Sequence, residues 1–354
     1  MNAARPNAWA NPSSVHIAGR TSRALLEHAR SQVAAAIGGA AADVVFTSGG
    51  TEACNLGVRG LAGLRGAHVL TTAVEHPAVA GAIARLAHDA GVQSTQLAVP
   101  RGRAPDPEQF ARALRPETRL CAIQWVNHET GTLFPVAAYA DVCRRAGVPL
   151  FIDATQAAGK LPIDVEALGC DLLALASHKL GGPAGIGALW IRRGIEIDPL
   201  LAGGSQERGR RPGSPDVLGA VGFGAACETL SERLVAQPAL AALQARCDAE
   251  LERLGALRNA EMSERVGTVC NASLAGWRSE ALIAALDLEG VCSASGAACS
   301  SGLQEPSPVL RAMHPDEPWR AGAALRLSFG PETTEAEVDA ALHALQRVCA
   351  RKSA

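Results

Sequence analysis

Of the 33 basic residues in this chain only Lys160, Lys179 and Lys352 are lysines. Arginine keeps its proton at any physiological pH, so amine chemistry falls to those three. Lys352 lies in the tail and reads as a surface residue. Lys179 follows the apolar run Leu172–Ala176 and precedes Leu180-Gly181-Gly182-Pro183. A strand there delivers an amine to its carboxyl end and then breaks. One strand unit earlier, Pro149-Leu150-Phe151-Ile152 ends in Asp153. An amine and a buried carboxylate at neighbouring strand ends suit pyridoxal phosphate: the lysine condenses with its aldehyde and the aspartate keeps its ring nitrogen protonated. Each residue alone has a plainer reading, as a charged strand end or a helix cap.

A third element is Phe46-Thr47-Ser48-Gly49-Gly50-Thr51-Glu52, a strand, a glycine turn and a helix start. Bare N–H groups at such a turn, aligned with the helix dipole, form an anion site. The ten cysteines include no CxxC pair and no zinc-finger spacing, so neither a disulfide framework nor a metal site is expected. Most read as small buried apolar residues, Cys292 after Gly290-Val291 among them. Cys299 differs. Its segment, Ala294-Ser-Gly-Ala-Ala-Cys-Ser-Ser-Gly302, is built of small residues and can carry a thiol from one place to another.

Short apolar runs alternate with helical patterns through the first part of the chain. Strands are expected at 44–47, 68–72, 92–98, 120–126, 149–152, 172–176 and 187–191. Helices are expected at 21–37, 51–61, 77–90, 107–114 and 136–146. This rhythm predicts an α/β fold with a mostly parallel, doubly wound sheet, whose ligands gather at the carboxyl ends of the strands. From about Gly222 long helices with a few strands, including 324–328, predict a smaller α+β domain. The expected division is a large domain over 12–222 and a small one over 223–354, with 1–11 packed against it or without a fixed place.

Hydrophobic residues make up 48% of the 354, charged residues 19%, and the formal charge is −2. No basic face calls for nucleic acid. No apolar run is long enough for a membrane span and the first residues lack a secretory core, so a cytoplasmic location is expected.

Taken in order along the chain, these stretches resemble a cysteine desulfurase of the class V aminotransferase family, the type that supplies sulfur for iron–sulfur clusters. The likeness is carried by Asn11-Pro-Ser-Ser-Val-His16, Thr47-Ser-Gly-Gly-Thr-Glu52, Glu75-His76, Val126-Asn-His-Glu-Thr-Gly131, Asp153-Ala-Thr-Gln156, Gly159-Lys-Leu-Pro-Ile-Asp164, His178-Lys179, Gly203-Gly-Ser-Gln-Glu207, Ser295-Gly-Ala-Ala-Cys-Ser300, Glu305-Pro306 and Leu325-Arg-Leu-Ser328. It implies an aspartate-aminotransferase-like fold, pyridoxal 5'-phosphate and L-cysteine as substrate. Lys179 resembles the Schiff-base lysine and Asp153 the partner of the pyridine nitrogen. Gln156 matches a hydrogen bond to the phenolic oxygen, and His76 the imidazole stacked on the ring. Gly50, Thr51 and His178 match phosphate contacts. Ser214 matches a hydroxyl that reaches the phosphate of a second subunit, which implies a homodimer. Arg326 matches the grip on the substrate carboxylate, with Asn127 beside it. Lys160 is given a structural or surface role.

In this scheme Cys299 takes the sulfur as a persulfide, alanine leaves, and an iron–sulfur scaffold or other acceptor protein collects the sulfur. The family's usual pattern differs at three of these places: His128 stands for an asparagine, Ala176 for a serine whose phosphate hydrogen bond is either supplied by Ser177 or missing, and Ser214 for a threonine. The resemblance also expects a strand and an Ala-Thr-Thr-Pro turn ahead of the first residue. A selenocysteine lyase would share the lysine machinery, and a non-catalytic relative would keep the binding residues without turnover.

Overall fold

The computed structural model describes residues 1–62, 65–296 and 305–352, which form two compact units. The first takes in 1–97, 106–125 and 135–234; the second takes in 98–105, 126–134 and 235–354.

The first unit is built on a seven-stranded sheet. Its strands are β1 (Val44–Thr47), β2 (His68–Thr72), β3 (Gln93–Leu97), β4 (Thr118–Gln124), β5 (Leu150–Asp153), β6 (Leu172–Ala176) and β7 (Gly187–Ile191). They lie in the order β1-β7-β6-β5-β4-β2-β3. All neighbours are parallel except β7, which runs antiparallel to both β1 and β6. Strands covered on both faces read as unbroken apolar runs, and β1, β2, β5, β6 and β7 are buried along their whole length. The edge strand β3 is largely exposed, in keeping with its polar sequence Gln-Ser-Thr-Gln-Leu.

The helices that matter here are α1 (Ile17–Ala35), α2 (Gly50–Ala62) and α3 (Pro77–Ala90). Leu56, Val58, Val79, Ile83 and Leu86 from α2 and α3 meet Val69, Leu120, Phe151, Leu172 and Leu189 of the sheet in one apolar core. Two ends differ from expectation for local reasons. The first helix starts at Ile17 rather than Thr21 because the His16 imidazole caps it, accepting from Gly19 N at 3.1 Å; histidine is outside the usual cap residues. Strand β4 stops at Gln124, whose N–H donates to Glu75 at 2.9 Å, and Trp125 N then donates to Asp153 O at 2.9 Å.

The register aligns the ends that carry chemistry. Gln124 stands opposite Asp153, Asp153 opposite Ala174, and both Ala176 and Thr47 opposite Gly187. A Cβ on Gly187 would lie 2.6 Å from the Gly49 carbonyl carbon and 2.7 Å from Leu175 O, so only glycine lets the turn after β1 close over β7.

In the second unit β8 (Leu257–Arg258), β9 (Val269–Ser273) and β10 (Ala324–Ser328) form an antiparallel sheet in the order β10-β9-β8. Leu243, Leu251, Cys270, Leu282, Leu325, Leu345 and Val348 form its core. Among the described residues seven cysteines are buried, but Cys292, read above as core, is exposed: it follows the left-handed turn at Gly290 on the way to Ala294, which bridges to Arg326.

Candidate active site

Asp153 ends β5 with 6% of its surface exposed. Thr155 N donates to its Oδ1 at 3.0 Å. The Cys54 thiol is buried on α2; burial first and the Asp153 charge second push that thiol well up. Lys179 stands on the short 3-10 turn Ser177–Leu180 that follows β6, with its side chain exposed. His76 caps α3: its Nδ1 accepts from Ala78 N at 3.1 Å. Burial lowers the imidazole's pKa, Asp153 raises it and Lys179 lowers it, and the net shift is downward. Because Nδ1 accepts from Ala78 N, the proton of the uncharged ring sits on Nε2. His76 lies within electrostatic reach of both Asp153 and Lys179, which stand at the carboxyl ends of β5 and β6.

Glu75, beside His76, was read from sequence only as part of a motif. It is buried and takes hydrogen bonds from Thr72 Oγ1 at 2.6 Å and Gln124 N at 2.9 Å. Burial, and then the Asp153 charge, outweigh those bonds and push its carboxyl up to about 8. A folded-state pKa above the unfolded value of 4.5 means that the native state holds a proton the unfolded chain releases. Stability from this group is therefore complete below that unfolded value and is lost as pH rises through the window to about 8. Compared with Glu75→Gln, the wild type is expected to lose roughly 1 kcal/mol per pH unit across the window, or about 2–4 °C of melting temperature per kcal/mol. Thermal melts of both proteins from acid to pH 8 check this; parallel curves would refute it.

The turn after β1 leads into α2 at Gly50. A Cβ on Gly50 would come within 3.1 Å of Ala176 Cβ and 3.2 Å of Thr155 Oγ1. The Thr155 hydroxyl therefore sits against the helix N-terminus, a role that sequence reasoning missed although Asp153-Ala-Thr-Gln156 was singled out. Thr51 and His178 are exposed, and burial followed by the Lys179 charge lowers the His178 imidazole. Ser177 is fully buried with its hydroxyl directed at Gly182. Gln156 is half-buried, and its Oε1 accepts from Lys160 Nζ at 2.6 Å.

Ser214 is exposed on a loop held at two points. Glu207, in the left-handed region at φ 48°, bonds Arg30 through both oxygens at 2.6 and 2.8 Å and accepts from Phe46 N at 2.9 Å. Arg211 bonds Glu52 of α2 at 2.9 Å. Burial raises the Glu52 carboxyl, but the bonds from Arg211 and Ser48 leave it lowered overall.

In the second unit, Arg326 on β10 is half-buried and donates through Nη1 to His128 O at 3.1 Å. The His128 side chain is buried, with Nε2 3.6 Å from Glu129 Oε1. Asn127 uses Oδ1 to build its own turn, accepting from Glu129 N, Thr130 N and Thr130 Oγ1 at 2.9–3.0 Å. Ala294 pairs with Arg326, so the segment that leads towards Cys299 leaves from the strand carrying this guanidinium. Cys299 itself lies outside the described residues.

The model of the aminotransferase class-V family matches residues 6–341. A protein named cysteine desulfurase IscS, from Dictyoglomus turgidum, is 37% identical over 96% of this chain and 87% of its own length. A cysteine desulfurase from Bradyrhizobium diazoefficiens is 39% identical over 98% of this chain and 89% of its own. Among solved structures, a NifS-like protein superposes with a TM-score of 0.90 at 29% identity, covering 100% of this chain and 94% of its own.

Proposed function

The chain belongs to the class V aminotransferase family, and from that premise we propose that it is a cysteine desulfurase that uses pyridoxal 5'-phosphate. The observation that carries the reading is that the Lys179 amine and the buried Asp153 carboxylate stand at the carboxyl ends of adjacent strands, with His76 in the field of both.

The donor set fits that cofactor. Lys179 offers the amine, Asp153 a buried carboxylate for the ring nitrogen, and Gln156 an amide for the phenolic oxygen. The start of α2 at Gly50 and Thr51, with Thr155, His178 and Ser177, offers donors to the phosphate. Ser214 would reach the phosphate of a second copy in a homodimer. When bound, the cofactor acts as an electron sink that stabilises negative charge at the substrate α-carbon.

The residues then divide the work. Arg326, held by the His128 carbonyl, grips the carboxylate of L-cysteine, with Asn127 and His128 beside it. Lys179 Nζ carries the α-proton. His76, capped through Nδ1, would stack against the ring of the bound cofactor and relay protons through Nε2. Cys299 loses its proton and attacks the substrate sulfur. The S–S bond forms as the substrate Cβ–S bond breaks, and the electron pair left on carbon takes up a proton. The products are L-alanine and a persulfide on Cys299, for a scaffold or acceptor protein of iron–sulfur cluster assembly in the cytoplasm.

The test is to load the protein with pyridoxal phosphate, add L-cysteine, and follow the cofactor absorbance together with alanine and protein-bound persulfide. Alanine and persulfide in equal amounts are expected. Cys299→Ser is expected to keep the absorbance and lose persulfide and turnover by about 10²-fold or more; a fully active Cys299→Ser enzyme would end the thiol's part in the reading.

A further inference from the structure

We propose that Lys160 is a positioning residue for the cofactor, holding the Gln156 amide with its NH2 group towards the phenolic oxygen. The proposal rests on the desulfurase reading above, in which Gln156 donates to that oxygen.

The geometry begins at the end of β5. After Asp153 the chain makes two successive turns: Ala157 N and Ala158 N donate to Ala154 O, then Lys160 N and Leu161 N donate to Ala157 O. These turns bring Lys160 back over Gln156, four residues earlier, and Nζ meets Oε1 at 2.6 Å. Gly159 closes the second turn at φ 74°, where a Cβ would lie 3.3 Å from both Arg233 and Leu230 side chains. A residue other than glycine is disfavoured there by both backbone and space, so the placing of Lys160 is fixed by the turn.

The chemistry gives this contact a direction. A lysine ammonium has three donors and no acceptor, so it can face only the carbonyl end of the amide. An amide free to rotate presents either end; this one is pinned with Nε2H2 turned away from Lys160. A cation on the carbonyl oxygen also draws electron density from the nitrogen and strengthens its N–H donors. Gln156 is thus set to donate, which an oxyanion requires. An unpinned glutamine could present its own carbonyl to that oxyanion and repel it.

A donor at the phenolic oxygen stabilises its ionised form, so losing the donor raises the oxygen's affinity for a proton. The experiment is a pH titration of the bound-cofactor absorbance in wild type, Lys160→Met, Lys160→Arg, Gln156→Leu and the double variant Lys160→Met/Gln156→Leu. Lys160→Met and Gln156→Leu are each expected to move the midpoint up by roughly half to one pH unit, the worth of one hydrogen bond. The double variant should move no further than Gln156→Leu alone. Lys160→Arg, which keeps a cationic donor, should titrate like the wild type. A shift in Gln156→Leu without one in Lys160→Met would overturn the proposal. So would a Lys160→Arg profile as displaced as that of Gln156→Leu, a result that stands even if Lys160→Met does not fold. If Gln156→Leu titrates like the wild type, Gln156 does not face the oxygen and the proposal falls with it. A wild-type protein that binds no pyridoxal phosphate would instead sink the desulfurase reading and this inference together.

Discussion

Lys179→Ala is expected to lower alanine formation from L-cysteine by at least about 10³-fold, since it removes both the covalent anchor and the proton carrier at once. Lys160, the other lysine of the first unit, is engaged by Gln156. The loss should be chemical rather than structural, because Lys179 is exposed on its turn. An exposed side chain truncated to alanine typically costs within about 0.5 kcal/mol. Three readouts separate the cases. Borohydride reduction of the wild type should fix the cofactor to the peptide that contains Lys179. The same treatment of the variant should fix it nowhere. Thermal melts of the two apoproteins should coincide. A variant that turns over within tenfold of the wild type, or a fixed cofactor on another peptide, would remove Lys179 from its role.

The parts legible in sequence were those where one physical demand acts on a run of residues. Strands buried on both faces favour apolar runs, so Leu172–Ala176 and the run ending at Asp153 announced themselves. The glycine turn before α2 was readable because few other residues allow the approach at Gly187 and Gly50. What escaped depends on partners distant in sequence. Nothing near Glu75 shows that Thr72 and the backbone of Gln124 will wrap it, or that Asp153 will share its surroundings. Thr155 is a turn residue until the fold lays it against Gly50. Lys160 was given a structural or surface role, and its bond to Gln156 was not foreseen because an i,i+4 pair is expected on helices, whereas here two tight turns create the spacing. Cys292 was misread because two apolar neighbours do not bury a residue that follows a glycine turn.

The two carboxyls at this edge of the sheet set up the second large effect. Asp153→Asn is expected to leave the cofactor bound through Lys179 but to lower turnover by roughly 10²–10⁴-fold. Neighbouring buried carboxyls resist carrying two charges, and Glu75, pushed up to about 8, is the one that keeps its proton near neutral pH. The Asp153 charge is one of the causes that raise Glu75, and Thr155 N donates to the Asp153 carboxylate. Asparagine keeps the shape and removes that charge, so the ring nitrogen loses the group that keeps it protonated. Glu75 cannot stand in, because its two oxygens are engaged by Thr72 and Gln124. The substitution carries a second signature away from catalysis. Removing the Asp153 charge takes away one of the causes that raise Glu75, so the fall in stability between acid and pH 8 should be shallower than in the wild type. Steady-state alanine formation, the bound-cofactor spectrum and melts across pH measure the three consequences on one preparation. Turnover within tenfold of the wild type would show that Asp153 does not serve the ring nitrogen, and an unchanged pH slope would show that the two carboxyls are not coupled.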